Sequence, residues 1–374
     1  RKAVDATAAL IRPRRIRSSF VSIYYHGVYP RLVSLLLYLL GYLVLPYRWT
    51  TLSTIVPLNC LSASLPSNLS ASTNPFLSMK VVALVSGGKD SCYNMLLCRK
   101  HGHEIVALAN LLPEAAGVDE LDSFCFQTVG HNAVAAYAEC CGLPLFRRRF
   151  SGVAKSHDLT YTPTVGDEVE DLHCLLAAVK ARMPEVEAVS SGAIASDYQR
   201  LRVEDVCSRL QLVSLAYMWH KPQTRLLRDI CSSGVEAVLI KVAALGLDPH
   251  KHLGKTLSEM EPHLNHLRKR FDVNPCGEGG EYETLTLDCP HFTHAQICLD
   301  DTQVVLHSEG DASQGGVLRI DRFHLEPKAG QSPLLAAVIE VTSSGNAPPS
   351  GSSAEAVLPA SLGSQEGGGR VKAE

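Results

Sequence analysis

The 374-residue sequence predicts an α/β protein, a doubly wound parallel sheet followed by a smaller C-terminal α+β unit. Three observations carry that expectation. A β-branched run at 81–85 leads through two glycines directly into a helix-compatible stretch at 92–101. From there to residue 242, short apolar runs alternate with stretches of helical periodicity, the pattern of parallel strands covered on both faces. Past residue 290, apolar runs follow one another without an intervening helix.

In order, an apolar run at 105–112 follows the first helix, then a polar loop, then a helical pattern at 128–141 that Gly142 closes. A strand is expected at 143–146. Helical spacing resumes at 169–183, with Asp167, Glu168 and Glu170 at its start, where the helix dipole favours carboxylates. Strands are expected at 186–190, 212–217 and 235–242, and helices at 201–210, 223–233 and 255–271. Gly254-Lys255-Thr256 imitates the end of a P-loop, but Pro249 holds the leading glycine position and no strand precedes it, so it reads as a helix start. Runs at 295–299, 303–308 and 317–324 suggest a terminal β meander.

Charge and composition divide the chain. The whole carries −3 and residues 1–78 carry +7, so residues 79–374 carry −10. An acidic body argues against a large nucleic-acid substrate, which needs a basic footprint. The leader holds an apolar stretch at 32–46 behind an arginine cluster, yet Met79 is its first methionine. Met79 is therefore expected to be the natural start and residues 1–78 a non-core leader from upstream translation. Residues 329–374 are rich in Gly, Ser, Pro and Glu and are expected to be a disordered tail. Between them, residues 79–200 are expected to form one domain and 201–328 a second. Twelve cysteines include no C-x-x-C pair, and fifteen histidines form no compelling ligand set, so no metal site is expected.

Chemistry concentrates in three strings. Ser86-Gly87-Gly88-Lys89-Asp90-Ser91 lies on the strand-to-helix turn. Its glycines let backbone approach a polyphosphate, the helix N-terminus faces the anion with about +0.5 charge, and Lys89 adds a cation. The spacing is not that of the common P-loop. The second string, Ser191-Gly192-Ala193-Ile194-Ala195-Ser196-Asp197-Tyr198-Gln199-Arg200, with Arg202 and Glu204 after it, follows a strand at the same rim of the sheet. The third, Gly277-Glu278-Gly279-Gly280-Glu281-Tyr282-Glu283-Thr284-Leu285, interleaves carboxylates with glycines. It makes a poor core strand and suits a ligand such as Mg²⁺ beside ATP, a cationic group, or ammonium whose proton a carboxylate accepts.

The first string resembles the PP-loop of the N-type ATP pyrophosphatases, which cleave ATP between the α and β phosphates. That resemblance implies a Rossmann-like (HUP-type) sheet. The three strings together resemble the diphthine–ammonia ligase family over about residues 79–328. The resemblance implies adenylation of the carboxylate of diphthine, a modified histidine on translation elongation factor 2, and displacement of AMP by ammonia in the last step of diphthamide synthesis. It places Ser86, Gly87, Gly88, Lys89, Asp90 and Ser91 on the ATP phosphates, with Lys89, Asp90, Glu278, Glu281 and Glu283 as catalytic candidates. Ser191, Gly192, Asp197, Tyr198, Arg200, Arg202, Glu204, Gly279 and Gly280 are the substrate-binding candidates. ATP is the expected co-substrate and Mg²⁺ the expected cofactor, in the cytoplasm, with neither nucleic acid nor stable membrane association. A tRNA-modifying PP-loop enzyme is the nearest rival; the acidic body and missing C-x-x-C weigh against it. A non-catalytic nucleotide-binding protein is the other.

Overall fold

The computed structural model describes residues 78–113, 129–149, 154–307, 315–331 and 336–342. The expected leader, and most of the expected tail, lie outside them.

β1 (Lys80–Leu84) runs into α1 (Lys89–Lys100), and β2 (Glu104–Leu112) follows. Then come α2 (His131–Val134), α3 (Tyr137–Cys141), β3 (Leu145–Arg149), α4 (Glu168–Arg182), β4 (Ala188–Ser190), α5 (Asp197–Arg209) and β5 (Val213–Leu215). Every pairing in this sheet is parallel, and among the described residues its order is β10-β3-β2-β1-β4-β5, where β10 is Val338–Glu340. Val82, Ala107 and Ala109 face one core with Leu172, Leu175 and Val206 of α4 and α5. Their neighbours Val81, Ala83 and Leu108 face the other, with Met95 and Tyr137 of α1 and α3. The period-2 split explains why these strands read as unbroken apolar runs: both faces are buried.

The second layer holds α6 (Gln223–Cys231), β6 (Glu236–Val242), α7 (Pro249–His252), α8 (Leu257–Phe271), β7 (Tyr282–Asp288), β8 (Ala295–Leu306) and β9 (Gly316–Pro327). Its antiparallel sheet has the order β7-β6-β9-β8. Leu239, Ile240 and Leu285 of this sheet belong to the same core as Val81 and Ala83, so both sheets share one hydrophobic body. Thr256 caps α8 in a full capping box with Glu259, which bears out the helix start expected there.

Several expectations shift. The strand expected at 143–146 begins at Leu145 and continues through three arginines. Arg147 is buried because it donates to Asn110 Oδ1 (3.2 Å) and the His131 carbonyl (3.0 Å), and Arg148 because it pairs with Asp171 at 2.8 Å. The helix expected at 128–141 is two short ones; Gly142, in the left-handed region, ends the second. α5 starts at Asp197 rather than 201, capped by Ser196, whose side chain accepts from Gln199 N. That helix and β5 extend the parallel sheet beyond residue 200. The expected meander is a long hairpin in which irregular register near Leu299–Thr302 bends one strand. β10 arises within the stretch expected to be disordered, pairing with β3 at the sheet edge.

Candidate active site

β2 and β3 lie to one side of β1, and β4 and β5 to the other, so the loops leaving β1 and β4 diverge at the point where the strand order reverses. In an open α/β sheet that point, at the carboxyl ends of the strands, is where the ligand crevice lies. The string at 86–91 occupies one wall. Gly87 has φ +97°, and a Cβ there would stand 2.8 Å from Val134 Cγ2, so only glycine fits the turn. Gly88 caps α1 with extended backbone and no side-chain partner, its amide donating at 3.3 Å to Ser86 Oγ. The Ser91 hydroxyl donates back to the Gly88 carbonyl at 2.9 Å.

β7 holds this turn from the second sheet. Thr286 N and the Tyr137 hydroxyl both donate to the Gly87 carbonyl at 2.8 Å, and Lys89 N donates to Thr284 Oγ1 at 3.0 Å. Lys89 Nζ is 2.6 Å from the Cys276 carbonyl, 2.8 Å from Asp90 Oδ2 and 5.1 Å from the Tyr282 ring centre. Burial opposes its charge more than any other single effect, but Asp90, with Tyr282 and Cys276, together outweigh it, and the Lys89 pKa is raised. Lys89 therefore remains an ammonium.

The second string packs against the first. A Cβ on Gly192 would lie 3.0 Å from Ser91 N and 3.1 Å from the Asp90 carbonyl carbon, both backbone atoms. Gly192→Ala is thus expected to push the β4 loop off the start of α1 by a few tenths of an ångström. A cost of about 1–3 kcal/mol follows from overpacking, with a drop in turnover that exceeds any change in the melting curve. Parallel steady-state assays and thermal melts check this. Ser191 is buried, its amide bonded to the Leu215 carbonyl at 3.1 Å.

Asp197, Tyr198, Arg200, Arg202 and Glu204 lie on α5 and not on a loop. Arg202, 1% exposed, donates to the Ser156 (2.6 Å) and Asp158 (3.1 Å) carbonyls, and its guanidinium carbon lies 3.2 Å from the Tyr198 ring centre. Tyr198 also donates to the Ser156 carbonyl at 3.0 Å. Both tie the 154–166 segment to α5. Arg200 pairs with Glu204 (2.8 Å) and Asp197 (3.5 Å) and lies over Trp219.

The acidic string divides its work. Glu281 accepts from Asn274 N (2.9 Å), Asn274 Nδ2 (2.7 Å) and Gly279 N (2.6 Å), so this carboxylate organises its own loop. Gly280 closes the turn by donating to the Gly277 carbonyl at 3.1 Å. Tyr282, Glu283, Thr284 and Leu285 are strand, not loop, and Glu283 pairs with Lys241 at 3.2 Å. Glu278 reaches across to the β4 loop and accepts from Ala195 N at 2.8 Å. Burial, and then the Asp90 carboxylate, raise its pKa. Burial likewise pushes the Asp90 carboxyl up, with Lys89 opposing, and Asp90 Oδ1 is buried with no hydrogen-bond partner among the described residues.

All three strings therefore meet at Asp90, Gly192–Ala195 and Glu278, with one ammonium among two carboxylates. Such a place can hold an anion on the glycine turn and a cation between the acids. No group of three or more His, Cys, Asp or Glu side chains among the described residues could hold a metal unaided. Tyr137, Thr284 and Thr286 were not foreseen. Their neighbours in sequence are unrelated to the turn they hold, although Thr284 lies within the third string.

Residues 79–214 match the diphthamide synthase N-terminal domain and residues 222–318 the diphthamide synthase C-terminal domain. The chain is 57% identical to a Danio rerio diphthine–ammonia ligase over 251 residues, 67% of this chain and 98% of that protein. It is 55% identical to the Homo sapiens diphthine–ammonia ligase over 257 residues, covering 68% and 96% respectively. The Schizosaccharomyces pombe diphthine–ammonia ligase is 54% identical over 233 residues, 62% of this chain and 38% of that longer protein. With both domains matched in order and vertebrate relatives covered almost end to end, the chain belongs to the diphthine–ammonia ligase family of diphthamide synthases.

Proposed function

We propose that the chain amidates diphthine on translation elongation factor 2, using ATP and ammonium and releasing AMP and pyrophosphate. The observation that carries this reading is the contact of Glu278 with Ala195 N beside Asp90, which brings the three strings to one point. A substrate carboxylate oxygen attacks the α-phosphorus of ATP, and the bond to the bridging oxygen of pyrophosphate breaks. The resulting acyl-adenylate exchanges an oxide leaving group for AMP. Ammonium gives up a proton, its lone pair attacks the acyl carbon, and AMP departs as the nitrogen loses a second proton to solvent.

The chain's residues divide these tasks. The glycine turn and the α1 N-terminus receive the polyphosphate, and Lys89 offsets charge developing on pyrophosphate. Glu278, whose raised pKa brings it closer to working pH, accepts the ammonium proton. Asp90 Oδ1 would help to hold a Mg²⁺ together with phosphate oxygens and water, and the ion would neutralise the phosphates. Glu281 and Glu283 act through loop and strand geometry, and Tyr198 and Arg202 through the 154–166 segment. The ATP-binding unit and the C-terminal unit divide between β5 and α6. Action on a translation factor makes the cytoplasm the working compartment, and no helix among the described residues is long and apolar enough to cross a membrane.

The full chain incubated with ATP, Mg²⁺, ammonium and diphthine-bearing elongation factor 2 is expected to release AMP only when the factor is present, with an acid-to-amide change in the factor's mass. AMP without that mass change, or release that depends on tRNA, would overturn the assignment.

A further inference from the structure

Trp219, one of two tryptophans in the chain, stands in the loop that leaves β5, at the rim where the crevice lies. Two bonds fix that loop. Tyr217 N donates to Asn94 Oδ1 of α1 at 2.9 Å, and His220 N donates to the Ile194 carbonyl at 2.8 Å, one residue from the amide that holds Glu278. The guanidinium carbon of Arg200 lies 4.5 Å from the Trp219 ring centre. Two carboxylates bracket that cation, and both reach solvent: Asp197 is 54% exposed and Glu204 41%. Arg200 Nε is buried with no hydrogen-bond partner among the described residues, so on leaving the guanidinium breaks its pairs with Glu204 and Asp197 but no bond at Nε.

An indole face that already carries a cation paired with two carboxylates is the chemistry that receives a quaternary ammonium. Such a cation has no N–H to donate, so directed acceptors cannot recognise it; an aromatic quadrupole and diffuse negative charge can. Resting on the ligase reading above, we infer that Trp219, with Asp197 and Glu204, seats the quaternary ammonium of diphthine, and that Arg200 holds this seat in the free protein. Diphthine carries its trimethylammonium on the carbon that bears the reacting carboxylate. Its head is a zwitterion, and the site exchanges charge with it: the ammonium takes the indole face, and the displaced guanidinium fork becomes available to the neighbouring carboxylate. Of the cationic centres on the protein substrate, only the fully methylated one then meets both halves of the site.

Two measurements test this. With elongation factor 2 bearing diphthine or its unmethylated amine, Trp219→Leu is expected to lower kcat/KM for the methylated substrate by about 10- to 30-fold, the range for a desolvated cation–π contact. It should cost the unmethylated substrate, whose ammonium N–H groups can bond the carboxylates directly, markedly less, and Trp219→Phe should recover part of the difference. Equal losses for both substrates, or none, overturn the inference even if amide is made normally. Independently of turnover, a Trp49→Phe background leaves Trp219 as the sole indole. Glycine betaine, which pairs a trimethylammonium with a carboxylate on one carbon, should change its fluorescence saturably, whereas glycine should not. No saturable response, or an equal response to glycine, refutes the seat, and does so even if the ligase reading fails.

Discussion

Lys89→Ala is expected to lower AMP formation at saturating ATP by about 10²–10³-fold, the loss usual for one preorganised group facing developing charge. The ammonium is fixed by the Cys276 carbonyl, Asp90 and the face of Tyr282, so no solvent cation enters its place with the same geometry. The fold should survive. Asp90 keeps 24% of its side chain in water and is not left as a bare buried charge, so the melting temperature should fall by less than about 10 °C. Single-turnover AMP release beside a thermal melt gives the answer. A folded variant with undiminished release would remove the turn at 86–91 from the chemistry.

Glu278→Gln should separate activity from stability. The Glu278 pKa is raised in the folded protein, so the folded state binds that proton more tightly than the unfolded chain does. Stability attributable to this group therefore falls as pH rises from the ordinary carboxylate range through the raised value, and the penalty is complete above it. Glutamine keeps an oxygen for Ala195 N and carries no charge toward Asp90. The variant should thus melt higher than the parent at pH 8, with the gap closing near pH 4, while amide formation drops by about 10²–10⁴-fold. A gap independent of pH would contradict the strained carboxylate, and normal turnover would contradict the proton acceptor.

What the sequence reveals here is what lies close along the chain. The turn at 86–91 is legible because strand, glycines, lysine and helix are contiguous, and the start of α8 because Thr256 and Glu259 form a local box. The start of α5 was legible in principle, since Ser196 precedes Gln199 by the capping interval, but its polar first turn reads as loop. Arg147 and Arg148 look like the end of a strand because the groups that make their burial tolerable, Asn110, the His131 carbonyl and Asp171, lie far away in sequence. The same reason hides the roles of the three carboxylates at 278, 281 and 283. Spacing makes them equivalent, whereas Ala195, Asn274 and Lys241 make them different.

Val338–Glu340 covers the outer edge of β3, and Val341 N extends the pairing to the Arg147 carbonyl at 2.7 Å. A chain cut at residue 328, beyond both matched domains, would retain every residue of the crevice described above. It would also bare the amides and carbonyls along Leu145–Arg147, and an open strand edge is a template for a neighbour's backbone. Self-association of such a fragment would then reflect a lost selvedge and not a physiological dimer. A shortened enzyme is better ended after Thr342 than where the family resemblance stops.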